Sequence, residues 1–484
     1  MKKFYIALVG ILFVCIGAVG QTTFTYQGIK YGINSKGEAY VADNPNVSGN
    51  ITIPGTVYNG DKSYSVMEIG NEAFECNQNL KSISIGGYVR KIGGGAFFEC
   101  KALTKVTMSD YMQEIGPEAF AYCSALTDIK LPGSINTIGA YAFSDCVSLE
   151  SIKIPLYLND IKEFTFDGCR SLKTVNTEEA AFLKSIGENA FNGCSSLYDL
   201  TLPETVTRIG DQALGNCSSL DRFDIPESVA SIGKSAFLNC TALSSIVIPS
   251  KISVVDDNTF SGCTSLTSAT LPETMYAIGS KAFYGCSKLS SIDMPKSMDY
   301  LQPMAFMNCS SLSSVTIPSG IEEISNNAFS GCISLTTVTL PESVTTIGQA
   351  AFSDCKLTAI EFPESLTNIG SNAFSSCDWL ETVTCTSYIP PVMESFNAFS
   401  NAAYDNATLI VPDEAYYDYL QSYGWDMFEN TKSAAIEDVF AETTAVADIF
   451  NLQGIIIKRN ASKEDLHSLP TGIYIVNGKK IVVK

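Results

Sequence analysis

The stretch "NAFSGCISLTTVTLPESVTTIGQAAFSDC", residues 327–355, contains one motif twice. "NAFSGC" begins the stretch and "AAFSDC" ends it, so that Phe329 and Phe352 stand 23 residues apart. Between them, "LTTVTLP" alternates apolar and polar residues, and "VTTIG" follows. Self-similarity at a period of about 20–50 residues is typical of solenoids, in which each repeat forms one coil. The stretch therefore predicts a stack of similar coils.

The same phase extends over most of the chain. The unit is L-x-x-I-x-I-P-x-S-V-x-x-I-G-x-x-A-F-x-x-C-x-x, and fifteen copies cover about 325 residues. Most steps are 23 residues, with two of 25 and one of 22, and the residues at the phenylalanine position are Phe74, Phe97, Phe120, Phe143, Phe166, Phe191, Leu214, Phe237, Phe260, Phe283, Phe306, Phe329, Phe352, Phe374 and Phe399. These spacings predict a repeat solenoid with coils of about 23 residues.

Each letter of the unit has a physical role. In "L-x-x-I-x-I" the last two apolar residues share one face of a short strand, and the residue between them faces solvent. Proline lacks a backbone donor and ends that strand. The glycine of "I-G", present in ten of fourteen coils, predicts a turn with positive φ. Alanine lets coils approach, and we expect each phenylalanine to stack on its equivalents in the interior.

Thirteen cysteines lie three residues after the phenylalanine position, from Cys100 to Cys377. One cysteine per coil, without any C-x-x-C pair, argues against a zinc site, whose ligands must converge on a point. Equivalent cysteines in adjacent coils would lie about 4.8 Å apart at Cβ, whereas a disulfide prefers about 3.8 Å. The spacing predicts buried free thiols acting as small apolar fillers, with partial disulfide pairing as the alternative. No metal or cofactor is predicted.

Composition and the N-terminus indicate an exported protein. The chain has 484 residues, 45% of them hydrophobic and 17% charged, and a net charge of −20, which argues against nucleic acid as a partner. "MKKFYIALVGILFVCIGAVGQ" has two lysines, an apolar run and small residues before a cut near Gly20, as in a secretory signal peptide over residues 1–20. No apolar run is long enough to span a bilayer. Cleavage would remove Lys2 and Lys3 and leave a net charge of −22.

The unit, as in "LPESVTTIGQAAFSDC", resembles the BspA-like leucine-rich repeat family of bacterial surface proteins, and it covers residues 67–386. The resemblance implies a right-handed, curved leucine-rich-repeat solenoid, β-rich with short helical turns, in which the "L-x-x-I-x-I" strands form a concave sheet. It also implies adhesion or protein binding at the cell surface, without naming a ligand.

The two ends depart from the repeat. Alternating strands over residues 21–66 predict an N-terminal β cap, and residues 387–434 predict a degenerate repeat with a C-terminal cap. Residues 435–484 form a separate β-rich module whose last hairpin would turn at Asn477–Gly478. Its motif "LPTGIYIVNGKKIVVK" resembles the C-terminal sorting modules recognised by type IX secretion. An ordinary terminal β-module is the alternative.

Enzymatic chemistry finds little support. His467, in the tail, is the only histidine, which excludes a Cys-His or Ser-His-Asp site within the repeats. Serine–lysine or paired-carboxylate chemistry stays open on composition. "IGGGAF", residues 92–97, matches the "I-G" turn of a coil with two extra glycines, not a phosphate-binding loop. We therefore predict a binding protein, not an enzyme.

The charged coils are the predicted binding surface. Coils between Leu243 and Leu340 expose mostly Ser and Thr, whereas earlier coils are charged, and Tyr and Arg are enriched among binding hot spots. The irregular coil "NTEEAAFLKSIG", residues 176–187, adds two residues and lacks the proline, as loops on binding faces do. The predicted binding residues are Lys130, Lys153, Tyr198, Asp199, Asp221, Arg222 and Asp224. A protein ligand is favoured; a glycan-binding accessory protein, a structural spacer and a merely solvated face are the alternatives.

Overall fold

The computed structural model describes residues 23–434, 447–451, 455–461, 465, 468–470, 472–476 and 479–483. The predicted signal peptide and the predicted turn at Asn477–Gly478 lie outside the described residues. The chain divides into two compact units, residues 1–158 and 159–484, and each is described by itself. The predicted domain bounds at residues 66, 386 and 434 stay predictions.

Unit 1 consists of short strands joined by turns. Its strands are β1 (Thr23–Tyr26), β2 (Ile29–Ile33), β3 (Ala39–Val41), β4 (Gly49–Ile53), β5 (Thr56–Asn59), β6 (Lys62–Ile69), β7 (Leu80–Ile85), β8 (Lys91–Ile92), β9 (Lys105–Thr107), β10 (Glu114–Ile115), β11 (Asp128–Ile129), β12 (Thr137–Ile138) and β13 (Ser151–Lys153).

Two parallel ladders organise unit 1. Strands β4, β7, β9, β11 and β13 pair in that order and carry the "L-x-x-I-x-I" segments. Strands β6, β8, β10 and β12 form the second ladder, from the "V-x-x-I-G" segments. At the N-terminal end β1, β2 and β3 pair antiparallel, β3 continues parallel onto β6, and β5 forms an antiparallel hairpin with β6.

Unit 2 repeats the two-strand coil and ends in short helices and a separate sheet. Its strands are β14 (Asp160–Ile161), β15 (Thr174–Asn176), β16 (Ser185–Ile186), β17 (Asp199–Leu200), β18 (Arg208–Ile209), β19 (Ser231–Ile232), β20 (Ser245–Val247), β21 (Val254–Val255), β22 (Ser268–Thr270), β23 (Ala277–Ile278), β24 (Tyr300–Leu301), β25 (Ser314–Thr316), β26 (Glu323–Ile324), β27 (Thr337–Thr339), β28 (Thr346–Ile347), β29 (Ala359–Phe362), β30 (Asn368–Ile369), β31 (Thr382–Cys385), β32 (Val392–Met393), β33 (Thr408–Val411), β34 (Asn430–Ser433), β35 (Ala447–Asn451), β36 (Ile456–Ala461), β37 (Gly472–Val476) and β38 (Lys479–Val483). Its α-helices are α1 (Asn401–Asn406) and α2 (Tyr416–Gln421). Two 3₁₀ turns span Asp413–Ala415 and Trp425–Met427.

The "L-x-x-I-x-I" ladder of unit 2 runs as β15–β17, β20–β22, β25–β27 and β29–β31–β33–β34, with parallel pairing throughout. The second ladder runs as β14–β16–β18–β19, β21–β23–β24 and β26–β28–β30–β32. The tail strands pair antiparallel in the order β36–β35–β37–β38. At the end of the repeats, Trp425 is buried and its indole N–H donates to the carbonyl oxygen of Pro391 at 2.8 Å.

The regular period produces the register. Val315 pairs with Val338, both buried, and their neighbours Ser314 and Thr337 pair with both side chains exposed. Each apolar residue of the unit therefore packs against its equivalent in the next coil, and the core is continuous along each ladder. The predicted solenoid is confirmed: each unit is a β-solenoid with coils about 23 residues apart, and together the described residues form about 17 coils.

A column of phenylalanine rings fills the interior. In unit 1 the rings of Phe97 and Phe120 are parallel, with centroids 5.0 Å apart and planes 2° apart. In unit 2 Phe329 lies between Phe306 at 5.5 Å and Phe352 at 5.4 Å. These rings are fully buried, which confirms the predicted stacking.

The "A-F" segment joins neighbouring coils by a third set of hydrogen bonds. Asn327 and Gly331, two residues before and after Phe329, have φ of 56° and 74°. The N–H groups of Asn327, Phe329 and Gly331 each donate to a carbonyl of the next coil at 2.8 Å. The left-handed residues turn successive N–H groups toward the same neighbour, which regular β geometry does not do.

The prediction of positive φ at the "I-G" glycine was wrong. Gly116 and Gly370 are absent from the residues with positive φ. The constraint is instead close approach. A Cβ at Gly116 would lie 2.6 Å from the nitrogen of Gly94, and one at Gly370 would lie 2.6 Å from the nitrogen of Gln349. Glycine is favoured there because the backbones of adjacent coils touch.

The cysteines of the described residues are free thiols. Fourteen of the fifteen described cysteines are buried, and Cys76 is exposed. The buried thiols are more than apolar fillers, because Cys355 Sγ donates to the carbonyl of Phe329 in the preceding coil at 3.3 Å. Burial raises the pKa of the Cys263 and Cys332 thiols to about 12. The same bond to the preceding coil is made by Cys100, Cys123, Cys146, Cys194, Cys217, Cys240, Cys263, Cys286, Cys309, Cys332 and Cys377.

Candidate functional site

The seven predicted binding residues fall in both units. Lys130 follows β11 and Lys153 ends β13, and both are exposed in unit 1. The other five belong to unit 2. The site is therefore built from unit 2 alone, where β17 and the irregular coil lie side by side.

Asp199 lies on the "L-x-x-I-x-I" ladder of unit 2, called the first strand ladder below, and Tyr198 directly precedes it. The side chain of Tyr198 is 53% exposed, and Asp199 begins β17 directly opposite Thr174 of β15. The backbone N–H groups of Tyr198 and Asp199 both donate to the carbonyl oxygen of Lys173, at 3.1 and 3.3 Å. Hydrogen bonding across the ladder thus holds the backbone at both residues, from which the two side chains extend into solvent.

Asp221, Arg222 and Asp224 do not lie on a strand, contrary to our prediction. The first ladder is interrupted between β17 and β20, and residues 220–225 have no strand assignment. Aspartate is depleted in strands, and two of the four residues 221–224 are aspartate. Arg222 Nη2 lies 3.3 Å from Asp224 Oδ2, with both side chains 79% exposed. Such an exposed pair contributes about 0–1 kcal/mol, so Arg222 can exchange this partner for another.

The irregular coil contains an extra turn. In a regular coil the proline carbonyl accepts one i+3 bond, as Pro203 does from Val206 at 3.0 Å. The irregular coil makes two in succession, from Ala180 N–H to Thr177 at 2.9 Å and from Leu183 N–H to Ala180 at 3.1 Å. The two added residues, in a coil that lacks the proline, thus form a second turn. This is expected for an insertion at the edge of a coil.

A pocket of about 400 Å³ opens beside this turn. Thr177 fixes one wall, because its buried hydroxyl donates to the carbonyl oxygen of Thr201. Asp199 is the only predicted binding residue in the lining; Glu178 and Thr201 were not singled out from the sequence, although the missing proline pointed to this coil. The lining consists of Thr174, Val175, Asn176, Thr177, Glu178, Asp199, Thr201, Leu202 and Pro203.

The lining is negatively charged. It contains the carboxylates of Glu178 and Asp199 and no Lys or Arg. Within the described part of the chain, neither carboxylate makes an ion pair. Among those same residues, no group of three or more His, Cys, Asp or Glu is placed to hold a metal ion. None of the described helices has the length and apolar character needed to cross a membrane.

Stacked coils with a polar pocket on an open strand ladder define a leucine-rich-repeat interaction scaffold. The chain belongs to the BspA type Leucine rich repeat region family, whose family model matches residues 67–197, 184–313 and 301–415, more than half of the chain. None of the curated proteins matches it.

Two solved bacterial structures are similar to this chain. A leucine-rich repeat protein from Bacteroides ovatus is 27% identical, with a TM-score of 0.62 over 85% of this chain and 98% of that one. A leucine rich cell surface protein from Faecalibacterium prausnitzii is also 27% identical, with a TM-score of 0.47 over 75% of this chain and 94% of that one. The Bacteroides ovatus structure therefore supports the solenoid fold over 85% of this chain.

Proposed function

We propose that this chain is an exported surface protein that binds a protein partner through exposed residues in and beside its first strand ladder. The observation that carries the proposal is the pocket of the irregular coil, which opens on that ladder. Beside it, the half-exposed Tyr198 is held by ladder hydrogen bonds. Arg222 is exposed one coil further on. Tyrosine and arginine on a pre-organised scaffold are the side chains that dominate binding energies.

Export rests on the two termini. Residues 1–20 are proposed as a signal peptide cleaved near Gly20, and residues 435–484 as a type IX sorting-like module that delivers the protein to the outer membrane exterior. The antiparallel sheet of β35 to β38 is consistent with a self-contained β module. The N-terminal cap over 21–66, the repeats over 67–386 and the cap over 387–434 complete the proposed domain order.

The binding surface is tested with two double variants. Surface or secreted proteins captured by the purified chain are identified, and their affinities are measured for each variant. We expect Tyr198→Ala with Arg222→Ala to weaken binding about tenfold or more, because each truncates an exposed anchor. Ser244→Ala with Thr267→Ala, at the exposed positions directly before β20 and β22, is the matched control and should change affinity little. Equal affinity of wild type and the first variant would contradict the assignment of this surface.

The glycan and spacer alternatives are separated by the same material. Ser244 Oγ donates to the carbonyl of Asp221 at 3.0 Å, and Thr267 Oγ1 donates to that of Ser244 at 2.9 Å. The hydrogens of these hydroxyls are therefore already used within the solenoid, and only their oxygens remain to accept a hydrogen bond from a ligand on those coils. Specific binding on a glycan array without any protein capture would favour the glycan alternative, and no binding in either format would favour the spacer.

A further inference from the structure

The pocket of the irregular coil has a charge that nothing in its lining balances. Glu178 and Asp199 contribute two carboxylates, and the remaining polar residues are Thr174, Asn176, Thr177 and Thr201. Two of these polar groups are already engaged: Thr177 donates to Thr201, and Asn176 Oδ1 accepts from the N–H of Glu178 at 3.1 Å. The two carboxylates are therefore the charged acceptors in the lining, beside the hydroxyls of Thr174 and Thr201.

The dimensions suit a cationic side chain. A volume of about 400 Å³ lies at the lower end of the roughly 300–1,000 Å³ of ligand sites. Its wall of Val175, Leu202 and Pro203 is apolar, so the stem of a long side chain can pack there while its charged end meets the carboxylates. The net charge of −20 attracts basic surfaces toward the chain.

We propose that this pocket receives one arginine or lysine side chain of the protein partner, with Glu178 and Asp199 as its acceptors. The inference rests on the proposed protein-binding function and adds the chemistry of the contact. A carboxylate and a guanidinium form charge-assisted, often bidentate hydrogen bonds, which discriminate strongly against a neutral side chain. The extra turn that creates the pocket is then a specificity device of this one coil.

The test uses the full exported chain and a random displayed peptide library. Selected peptides are expected to share one basic position, and their affinity is measured for wild type and for Glu178→Gln with Asp199→Asn. We expect a loss of about tenfold or more in this pocket variant. Replacing the basic residue of the peptide by neutral citrulline should cost as much against wild type and almost nothing further against the pocket variant, as expected for coupled groups.

A charge-matched variant separates the pocket from general electrostatics. Glu342→Gln with Glu364→Gln also removes two exposed carboxylates from unit 2, away from the pocket. If this control lowers the affinity for the peptides equally, or if the selected peptides share no basic residue, the role proposed for the pocket would be overturned. Free arginine amide binding as tightly as the peptides would make it a small-cation site and also overturn the inference.

Failure of the inference can be told apart from failure of the proposed function. Ligands that lose affinity with Tyr198→Ala and Arg222→Ala, but not with the pocket variant, would leave protein binding intact and remove the role of the pocket. The recovery of no peptide and no protein would remove both.

Discussion

The thiol of Cys332 donates a hydrogen bond to the carbonyl oxygen of Phe306, 3.2 Å away in the preceding coil. The same oxygen accepts the backbone N–H of Cys309 at 3.1 Å. One carbonyl thus joins a turn within its own coil to the next coil. Because this thiol is buried, the proton it donates is held far above the pH at which an exposed thiol would lose it.

This proton makes stability depend on pH. Burial raises the pKa of Cys332 from 9.0 to about 12. Between these values the unfolded chain loses the proton and the folded chain keeps it, so stability is complete below pH 9 and falls as pH rises toward 12. The free energy of unfolding is measured with urea under reducing conditions. Between pH 9 and 10 it should fall by about 1 kcal/mol less in Cys332→Ala than in wild type.

Leu335→Ala is the control for that measurement, since Leu335 is buried in the same coil and does not titrate. It should destabilise the protein without altering the pH slope. An unchanged slope in Cys332→Ala would contradict a raised pKa.

Thiol titration examines the whole cysteine column. In denaturant without reductant we expect most of the fifteen cysteines after residue 20 to react, because the described cysteines are free. Before denaturation, a thiol reagent should reach Cys76 first, since the other fourteen are buried. Recovery of only one thiol in denaturant would show paired cysteines.

Phe329→Ala should weaken the solenoid locally. It removes a fully buried ring stacked on both sides, at a cost of about 3–5 kcal/mol. Hydrogen exchange should show lost protection around residues 300–355 first, because each coil contacts only its neighbours. Ile333→Ala, at a residue 61% exposed, should change protection little. Uniform loss along the chain would argue against a stack of locally coupled coils.

Gly116→Ala examines the approach of neighbouring backbones. The added Cβ would lie 2.6 Å from the nitrogen of Gly94, and we expect a loss of about 1–2 kcal/mol in thermal or urea unfolding. Four coils place a side chain at this position, which keeps the expected cost at the lower end for overpacking. Gly133→Ala, in the same unit with nothing within 4 Å, should be neutral or slightly stabilising. Equal stability of the two variants would contradict the close-approach account.

Deletion of residues 436–484 examines the tail. The truncated protein should fold, with unchanged circular dichroism of the repeats, but should not reach the cell surface. Surface protease accessibility in the native host measures this, and a full-length chain carrying Phe329→Ala controls for effects of instability. Normal display of the truncated protein would remove the sorting role.

The sequence was sufficient for features that recur in register and insufficient for those set by contacts between coils. Phe329 and its equivalents repeat in type and spacing, so their stacking followed from the period. The left-handed conformation of the residues two before and two after each ring could not be predicted in this way. Glycine and asparagine are the usual signals for it, but the position two before the ring is occupied by Glu118, Met304 and Ala350 in three coils. Hydrogen bonds to the next coil impose the conformation there.

The site shows the same division. The insertion in residues 176–187 was visible as a missing proline, and it marked the coil that forms the pocket. Glu178 gave no signal of its own, because its role depends on the extra turn and on Asp199 one coil later. The strand expected at Arg222 was wrong because alternation with a single buried residue, Phe223, could not outweigh the flanking aspartates.

The paired left-handed residues around each phenylalanine restrict how such a chain can change length. A non-glycine residue in this conformation costs about 1–2 kcal/mol, and in coils such as that of Met304 and Asn308 the N–H groups offset the cost by donating to carbonyls of the next coil. Loss of part of a coil would move these residues out of phase with their acceptors, whereas duplication of a whole coil preserves every partner. Growth and shrinkage of the array should therefore proceed in whole-coil steps. Shorter insertions should be confined to edge turns such as residues 178–182, where new surface can arise without disturbing the stack.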